Sequence, residues 1–511
     1  MEELSPSRAI RAQSEPLTAT AVQQRSDVLL LVGVLIVSLL LRLPGFALPL
    51  ERDEGAYAYV AWNWLQGGLP YRDAFDHKPP LVYLLYMPPL LFGTPSALAI
   101  RVWATLLFLV DVALVFAIGR RVWGRAAGLL AALIFGIAGS AFDLQGLVLN
   151  TDQALVLPAL IGLWSAIRLH ETRQLRFAIG AGAAIAATIL VKPVGIVLLP
   201  ALLIACRRNV RSIARVYGGA ALGAAIVGLP IAGYFALRGG WSDLVFGVLT
   251  YNRLYASESQ DRWLLGPLVD MFAAFVPLLL VAIGGVALLD GRSDASLSPR
   301  TRRSGWLIVG WCVALLIAAI GSLRAYVHYY YPILPFLALL AAPCVLWLRR
   351  SAPDAAPLQR IANQLAALLL ATLLLVPFAR QNLSLLGTTA EQQAIRLYGD
   401  AGKHYFAQAP RVAEFVRKRT QPEDHIYIFA AEPEVYLLSE RRAANRYIYD
   451  YPLGLVPGAS AELQRDLAAR PPKLVITYFG VRPEAFFQSV EAQNFTKLAE
   501  IGGYEIFGPP E

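Results

Sequence analysis

The first 380 residues of the chain alternate long apolar runs with short polar loops. A helix needs roughly 20 apolar residues to cross a bilayer, and most of these runs reach or approach that length. The pattern therefore predicts a polytopic α-helical membrane protein with about eleven transmembrane helices. The predicted helices fall at 28–46, 96–118, 125–141, 153–169, 176–190, 194–206, 213–237, 264–289, 304–322, 327–347 and 360–378.

Four of the apolar segments depart from the simple pattern. The first run is too long for the core of a typical signal peptide and no small-residue cleavage site follows it, so we expect a retained helix. The fifth and sixth runs are short and meet at Lys192-Pro193, which makes either one a candidate half-helix. A further stretch at 81–92 is too short to span and predicts a helix that lies along the membrane or dips into it.

The basic residues occur in every second loop, and the loops between them are poorer in Lys and Arg. Because basic loops stay on the cytoplasmic side, this alternation predicts an inside N-terminal tail, residues 1–27. The polar loop 47–95 and the C-terminal segment then share the extracytoplasmic face. The arginine clusters behind this orientation lie at 120–125, 168–176, 207–215, 292–303 and 349–360.

The composition changes near residue 380, where charge rises and apolar runs shorten to strand length. Helices are predicted at 411–420 and 432–440, and strands at 426–430 and 473–478. We therefore expect residues 28–380 to form the membrane domain and residues 381–511 a small soluble extracytoplasmic α/β domain. This second domain has no glycine-rich phosphate loop and no cysteine, so we assign it no chemistry of its own.

Composition agrees with a membrane protein, since 57% of the 511 residues are hydrophobic and only 16% are charged. The net charge of +9 lies in short loops at the ends of apolar runs, where it orients helices rather than binds nucleic acid. The three cysteines, Cys206, Cys312 and Cys344, lie in apolar runs without metal-like spacing and are read as packing residues.

The loop after the first helix carries the first candidate chemistry. Asp53 and Glu54 open a predicted juxtamembrane helix, Gly55–Leu65. A partly desolvated carboxylate at the membrane surface can act as a general base toward a hydroxyl or amine. The alternative is that Asp53 only caps this helix.

The same loop continues with Asp76-His77-Lys78-Pro79-Pro80. The two prolines stiffen the backbone, and a lysine held rigidly at headgroup depth is suited to pairing with a phosphate. The alternative is an ordinary lysine that extends its ammonium toward the water.

Further polar residues are predicted on the same face. Asn150-Thr151-Asp152 begins the fourth helix and is equally compatible with a simple cap. Arg324 and His328 precede the tenth helix and are suited to a second anionic group, whereas Tyr329-Tyr330-Tyr331 alone would form an aromatic belt. We expect one cavity, open to the outer leaflet, to be lined by Asp53, Lys78, Asp152, Lys192, Arg324 and His328.

At these residues the chain resembles the GT-C superfamily of lipid-phosphate-sugar-dependent glycosyltransferases. The resemblance is in particular to bacterial relatives of protein O-mannosyltransferases and aminoarabinose transferases, over roughly residues 28–350. The motifs that carry it are Arg52-Asp53-Glu54, Leu69-Pro70-Tyr71-Arg72-Asp73, Asp76-His77-Lys78-Pro79-Pro80-Leu81, Asn150-Thr151-Asp152 and His328-Tyr329-Tyr330-Tyr331-Pro332-Ile333-Leu334-Pro335.

The resemblance implies an inverting hexosyl or pentosyl transfer from a polyprenyl-phosphate sugar to a lipid, glycan or protein acceptor. Asp53 would be the general base, Glu54 would support it, and Asp152 would match a second acidic position near the cavity. Lys78 would bind the donor phosphate with help from Arg324 or His328. The remaining candidates for substrate binding are Asp76, His77, Lys192 and Tyr330.

One departure from the family pattern concerns the sugar. Ala56 and Tyr57 stand where aminoarabinose transferases tend to carry an arginine, which argues against carrying their substrate over. No cofactor is expected, and the acids at 53, 54 and 152 would hold a divalent metal only if they converge. Metal-independent chemistry is therefore favoured.

Two other functions are compatible with a chain of this kind. One is a transporter or flippase of lipid-linked sugars, although no internal repeat is evident and the polar residues lie mostly at helix ends on one face. The other is a polymerase or ligase of surface polysaccharides, against which the pairing of Asp53-Glu54 with Lys78-Pro79-Pro80 argues. The expected location is a bacterial inner or plasma membrane.

Overall fold

The computed structural model describes residues 15–207, 209–257, 265–290, 297–321, 326–350, 355–481 and 494–510. Each apolar run that the sequence pattern predicts coincides with helical structure. The helices of this part of the chain are α1 (Glu15–Arg42), α2 (Arg52–Leu65), α3 (Leu81–Leu90), α4 (Ala97–Trp123), α5 (Arg125–Ala138), α6 (Thr151–Ala154), α7 (Val156–Thr172), α8 (Leu175–Val191), α9 (Val210–Leu237), α10 (Trp241–Val245), α11 (Tyr251–Ser257), α12 (Leu265–Ala287), α13 (Pro299–Gly321), α14 (Leu334–Arg349) and α15 (Pro357–Leu383).

Among the described residues, seven helical segments are long and apolar enough to cross a membrane, and five shorter apolar helices accompany them. The chain is therefore a multi-pass membrane protein, and its number of spans stays a prediction. The segments around α1, α9 and α15 are only 17% buried within the protein. Their outward side chains are apolar, as contact with lipid requires.

The predicted break at Lys192-Pro193 is confirmed. Helix α8 ends with Lys192 as its C-cap, and two short 3-10 segments follow, Pro193–Leu198 and Pro200–Ala205. Both segments begin with proline, which lacks a backbone donor and is tolerated at the first helical position. The break brings Lys192 to the end of the helix instead of placing it inside a continuous span.

The interior of the bundle is organised around α14 and the 3-10 turn before it. In the apolar stretch of Val327–Arg349, 72% of the residues are buried. Helices α8 and α9 pack closely because glycines face each other's backbone. A Cβ atom on Gly182 would overlap the carbonyl oxygen of Ala220, and one on Gly223 would overlap that of Ile179. Small residues at such contacts let membrane helices approach.

The residues after α15 form a mixed sheet covered by helices. The helices are α16 (Ala390–Ala401), α17 (Ala409–Arg419), α18 (Glu434–Ser439), α19 (Tyr451–Leu455) and α20 (Ala459–Ala469). The described strands are β1 (His425–Phe429), β2 (Arg442–Ala443), β3 (Leu474–Tyr478), β4 (Thr496–Ile501) and β5 (Tyr504–Gly508), in the order β2-β1-β3-β5-β4.

The two predicted strands and two predicted helices of this domain correspond to β1, β3, α17 and α18. Strand β1 is parallel to both β2 and β3, with Ile426 opposite Leu474, whereas β5 is antiparallel to β3 and to β4. The sequence pattern missed β2, β4 and β5. Strand β2 has only two residues, and the β4–β5 turn contains Gly502 with φ of 62°.

The C-terminal domain lies against the first polar loop. Arg52 donates to Glu432 at 2.9 Å and to the carbonyl oxygen of Ala431 at 2.7 Å. Gly55 explains how closely the two parts approach, because a Cβ atom there would lie 2.6 Å from the backbone nitrogen of Glu434. The domain thereby reaches the candidate chemistry of the loop.

Candidate active site

Helix α2 separates the two neighbouring carboxylates of the first loop. Its N-cap is Glu51, whose side chain accepts hydrogen bonds from the backbone N–H groups of Asp53 and Glu54. The suggestion that Asp53 caps this helix is therefore wrong. Successive residues on a helix point about 100° apart, so the two carboxylates face different surroundings. Asp53 is exposed and accepts a hydrogen bond from the Tyr57 hydroxyl at 3.2 Å.

Glu54, in contrast, is completely buried. Its carboxylate pairs with both terminal nitrogens of Arg101 on α4, one of them at 2.6 Å, and also accepts the backbone N–H of Leu149 at 2.8 Å. Arg101 donates in addition to the carbonyl oxygen of Pro49 at 2.9 Å. Glu54 is thus turned away from Asp53 and anchors the start of α2 to the bundle.

The Asp76 carboxylate is buried and accepts hydrogen bonds from several protein groups. It accepts hydrogen bonds from the backbone N–H of His77 at 2.7 Å, from Tyr449 at 2.8 Å and from Tyr83 at 3.0 Å. Burial opposes its charged form, but the hydrogen bond from the His77 ring, then the charge of Lys78 and the hydrogen bond from Tyr449, outweigh burial and lower the pKa of Asp76 well below its usual range. Asp76 therefore stays ionised and fixes the loop.

His77 and Lys78 form a linked pair above this carboxylate. The Lys78 ammonium lies 2.7 Å from Nε2 of His77, and Nδ1 of His77 lies 3.2 Å from Asp76. Burial, and then the charge of Lys78, lower the pKa of His77, so the ring is neutral and Nε2 accepts a hydrogen bond from the Lys78 ammonium. Lys78 is therefore held in place and does not extend freely into solvent.

A second polar pair lies behind the opposite wall. Asn150 is the N-cap of α6, as the capping alternative predicts, and accepts the backbone N–H of Asp152 at 2.8 Å. The Asp152 carboxylate accepts both of its side-chain hydrogen bonds from Lys192, at 2.8 and 2.9 Å. Nε2 of His328 is 4.0 Å from Asp152, and the Lys192 ammonium lies 3.8 Å from the centre of the Tyr329 ring.

These elements surround a cavity of about 510 Å³. Five predicted site residues contribute to its wall: Asp53, Asp76, His77, Lys78 and His328. Among the described residues, the predicted candidates that do not reach the wall are Glu54, Asp152, Lys192 and Tyr330.

Tyr330 is only 2% exposed, and its neighbour Tyr329 faces the cavity instead. Arg324 lies outside the described residues. The structure thus brings every first-loop candidate except Glu54 together with His328, while Asp152 and Lys192 form a supporting pair behind them.

Sequence reasoning missed Glu51, which also lines the cavity. Burial, followed by the charges of Asp53 and Glu54, raises the pKa of Glu51 to about 8. The missed signal was an acid three residues before Glu54, the spacing at which an N-cap side chain meets the helix N–H groups.

The C-terminal domain also contributes to the cavity. Its residues Tyr449 and Tyr451 form part of the wall, although sequence analysis assigned the domain no chemistry of its own. No local sequence signal distinguishes these two tyrosines, because they reach the site only through the docking of the domain.

The carboxylates proposed for a metal do not converge. Glu54 faces Arg101 and Asp152 faces Lys192, so neither shares a ligand sphere with Asp53. Within the described ranges, no group of three or more His, Cys, Asp or Glu side chains is arranged to hold a metal ion.

The helical membrane domain, the helical first loop and the C-terminal sheet domain together form an ArnT-like GT-C fold, as the solved structures described below indicate. Residues 76–233 match the family model described as dolichyl-phosphate-mannose-protein mannosyltransferase. No curated protein matches the sequence.

Solved structures match over most of the chain. ArnT from Cupriavidus metallidurans bound to undecaprenyl phosphate matches with a TM-score of 0.60 at 15% identity, covering 96% of this chain and 99% of that one. The archaeal oligosaccharyltransferase AglB from Archaeoglobus fulgidus, in complex with an inhibitory peptide and a dolichol-phosphate, matches with a TM-score of 0.56 at 14% identity, covering 89% and 70%. The predicted fold class and the predicted resemblance to GT-C glycosyltransferases are confirmed.

Proposed function

We propose that this protein is an integral-membrane glycosyltransferase that moves a sugar, with inversion, from a polyprenyl-phosphate donor to a lipid, glycan or protein acceptor. The observation that carries the proposal is that an exposed carboxylate, Asp53, and a positioned cation, Lys78, line the same cavity. A base at the acceptor and a cation at the leaving phosphate are the two groups that such a displacement needs.

Asp53 acts as the general base. It accepts the proton from the acceptor hydroxyl or amine as that atom bonds to the anomeric carbon, and the bond from this carbon to the phosphate oxygen breaks. Tyr57, at 3.2 Å, orients the carboxylate. Glu51, whose pKa is raised to about 8 by burial and neighbouring carboxylates, is mostly protonated at neutral pH, which avoids a second charge beside Asp53.

Lys78 receives the charge of the departing polyprenyl phosphate. A lysine ammonium has three N–H donors, and His77 takes one of them, which leaves two for phosphate oxygens. His328, on the cavity wall, is the second candidate partner for the phosphate. Asp76 acts through His77, because it selects the ring tautomer that can accept from Lys78.

Asp152 and Lys192 are positioning residues in this proposal. Two hydrogen bonds join them, and their opposite charges neutralise each other. The Lys192 ammonium packs against the Tyr329 ring. Tyr329 in turn meets the His328 ring edge-on, with ring centres 4.9 Å apart. The pair therefore supports the wall that carries His328, and Glu54 supports the start of α2 in the same way.

The reaction takes place on the extracytoplasmic face, which follows from the basic loops at the other ends of the helices. By the same reasoning the first loop at 47–95 and the domain at 381–511 are extracytoplasmic, and the tail at 1–27 is cytoplasmic. The membrane is a bacterial inner or plasma membrane. No metal step is required, since Lys78 supplies the positive charge at the leaving group.

The test is sugar release from a panel of radiolabelled polyprenyl-phosphate sugars by the purified protein in lipid. Asp53→Asn should abolish transfer and leave donor binding intact. The matched control is Asp143→Asn, an exposed carboxylate that pairs with Arg396 at 2.9 Å away from the cavity. Full activity of Asp53→Asn would refute the general-base role, and failure to turn over any donor would favour transport of the same lipids.

A further inference from the structure

A second cavity, of about 380 Å³, lies at the opposite end of the bundle from the candidate active site. It is formed where α7 and α8 meet the start of α9. Helix α8 has 17 residues and connects the two regions, with Leu175 in this cavity and Lys192 at the other end. At 1.5 Å per residue the separation along the helix is about 25 Å. The second cavity is therefore independent of the reaction proposed above.

Four arginines line this second cavity: Arg173, Arg207, Arg211 and Arg215. Arg173 is half-buried and donates to the carbonyl oxygen of Ala205 at 2.7 Å, while the other three are exposed. Burial, and then the nearby charges of Arg207 and Arg303, lower the pKa of Arg173, so positive charge is concentrated there.

Five other arginines of this face have carboxylate partners. Asp27 pairs with two of them and Glu171 with three, the partners being Arg120, Arg125, Arg121, Arg168 and Arg300. In the part of the chain that the structure describes, no carboxylate pairs with any of the four arginines of the second cavity. Among the described residues their charge is therefore left uncompensated.

The placement of these charges on α9 is unfavourable by itself. Arg211 and Arg215 are four residues apart on one helix, where like charges repel. Both lie near the N-terminal end of α9, which carries the positive end of the helix dipole. An anion bound between them would remove the repulsion between the two arginines and would be stabilised by the helix dipole.

The surroundings distinguish a membrane lipid from a soluble anion. Leu169, Leu175 and Val216 form the apolar part of the cavity wall. Only 17% of the residues in the apolar stretch of α9 are buried. The outward residues Leu222 and Ile226, 52% and 57% exposed, continue along the helix away from the arginines. The phosphate and an acyl chain of one lipid molecule would thus both lie along α9.

The geometry points to a binding site for an anionic phospholipid, with its phosphate between Arg173, Arg207, Arg211 and Arg215 and an acyl chain along α9. Basic pockets between helices at the positively charged face of a membrane protein are suited to such headgroups. The lipid would stabilise the packing of α9 on α8, where glycines hold the two helices in close contact.

The test is native mass spectrometry of the full-length protein in neutral detergent, titrated separately with phosphatidylglycerol, phosphatidylcholine and inorganic phosphate. We expect phosphatidylglycerol to bind Arg211→Gln/Arg215→Gln about 30-fold more weakly, equivalent to about 2 kcal/mol, and phosphatidylcholine to be unaffected. The matched control is Arg176→Gln, an exposed arginine at the start of α8 outside the cavity, which should bind as wild type does.

Equal phosphatidylglycerol binding by the double variant and the wild type would overturn the proposal. Inorganic phosphate binding as tightly as the lipid would also overturn it and assign the cavity to a free anion. A second measurement guards against misfolding. In neutral detergent without anionic lipid the double variant should unfold at the same temperature as wild type or higher, because a repulsion has been removed. A lower unfolding temperature would mean that the arginines already have partners and would also count against the site.

Discussion

The ion pair between Glu54 and Arg101 leads to a sharp prediction about stability. Both side chains are almost completely buried, with 0% and 1% of their surface exposed. Glu54→Gln keeps the shape of the side chain but leaves the Arg101 guanidinium in the interior without a counter-charge. Removing one partner of a buried pair costs about 3–5 kcal/mol, because the remaining charge loses both its partner and its water.

The Glu54→Gln substitution should therefore lower the free energy of unfolding by about 3–5 kcal/mol. The measurement is reversible unfolding in mixed detergent micelles, followed by tryptophan fluorescence. The double variant Glu54→Gln/Arg101→Gln should recover a large part of this loss, since no charge is then left unpaired. The matched control is Asp53→Asn, which removes the neighbouring exposed carboxylate and should change stability little.

A loss below about 1 kcal/mol in Glu54→Gln would refute this reasoning, since it would mean that Arg101 finds water or another partner. A double variant less stable than either single variant would also contradict it. Transfer activity gives a second distinction. If Glu54 only anchors α2, activity measured on the folded fraction should persist in the double variant, whereas Asp53→Asn should remain inactive.

Two further predictions concern the cavity itself. Lys78→Ala should raise the Kd for a polyprenyl-phosphate donor by about 10- to 100-fold, because a charged hydrogen bond contributes roughly 1.5–3 kcal/mol. Lys78→Arg should restore part of the lost affinity. An unchanged Kd in Lys78→Ala would exclude Lys78 from the phosphate site. Glu51 should make folding stability pH-dependent. Its pKa is raised from 4.5 when unfolded to about 8 when folded, so the folded state holds the extra proton and loses stability as pH rises from about 5 through 8. Thermal unfolding from pH 5 to 8.5 should show this slope in wild type and a smaller one in Glu51→Gln, and equal slopes would contradict the assignment.

The membrane architecture could be predicted from the sequence because its cause is local. A helix in lipid must form its backbone hydrogen bonds internally and present apolar side chains outward. Both conditions depend on residues that are close together in the sequence. The C-terminal sheet was predicted only in part. Strands β1 and β3 are short apolar runs, whereas β4 is largely exposed and its run Thr496–Ile501 carries charges that hide the pattern.

The candidate site was predictable where its residues share one loop. Asp53 and Lys78 were found because a carboxylate and a proline-stiffened lysine follow the first helix closely. The partners of Glu54 and Asp152 were not predictable, since Arg101 and Lys192 are 47 and 40 residues away in sequence. Which of two adjacent acids faces the cavity depends on the start of α2 at Arg52, and the sequence pattern placed that start three residues too late.

The contact of Tyr449 with Asp76 has a consequence for how the protein is made. The two residues are 373 positions apart, and a ribosome adds about 5–20 residues per second. The loop that carries Asp76 therefore leaves the ribosome about 20–75 s before its tyrosine partner does. During biosynthesis the membrane helices can insert long before this wall of the cavity exists. A chain that stalls before Tyr449 would carry Asp53 and Lys78 without the hydroxyl that helps to fix their loop, so the site is completed only when synthesis is nearly finished.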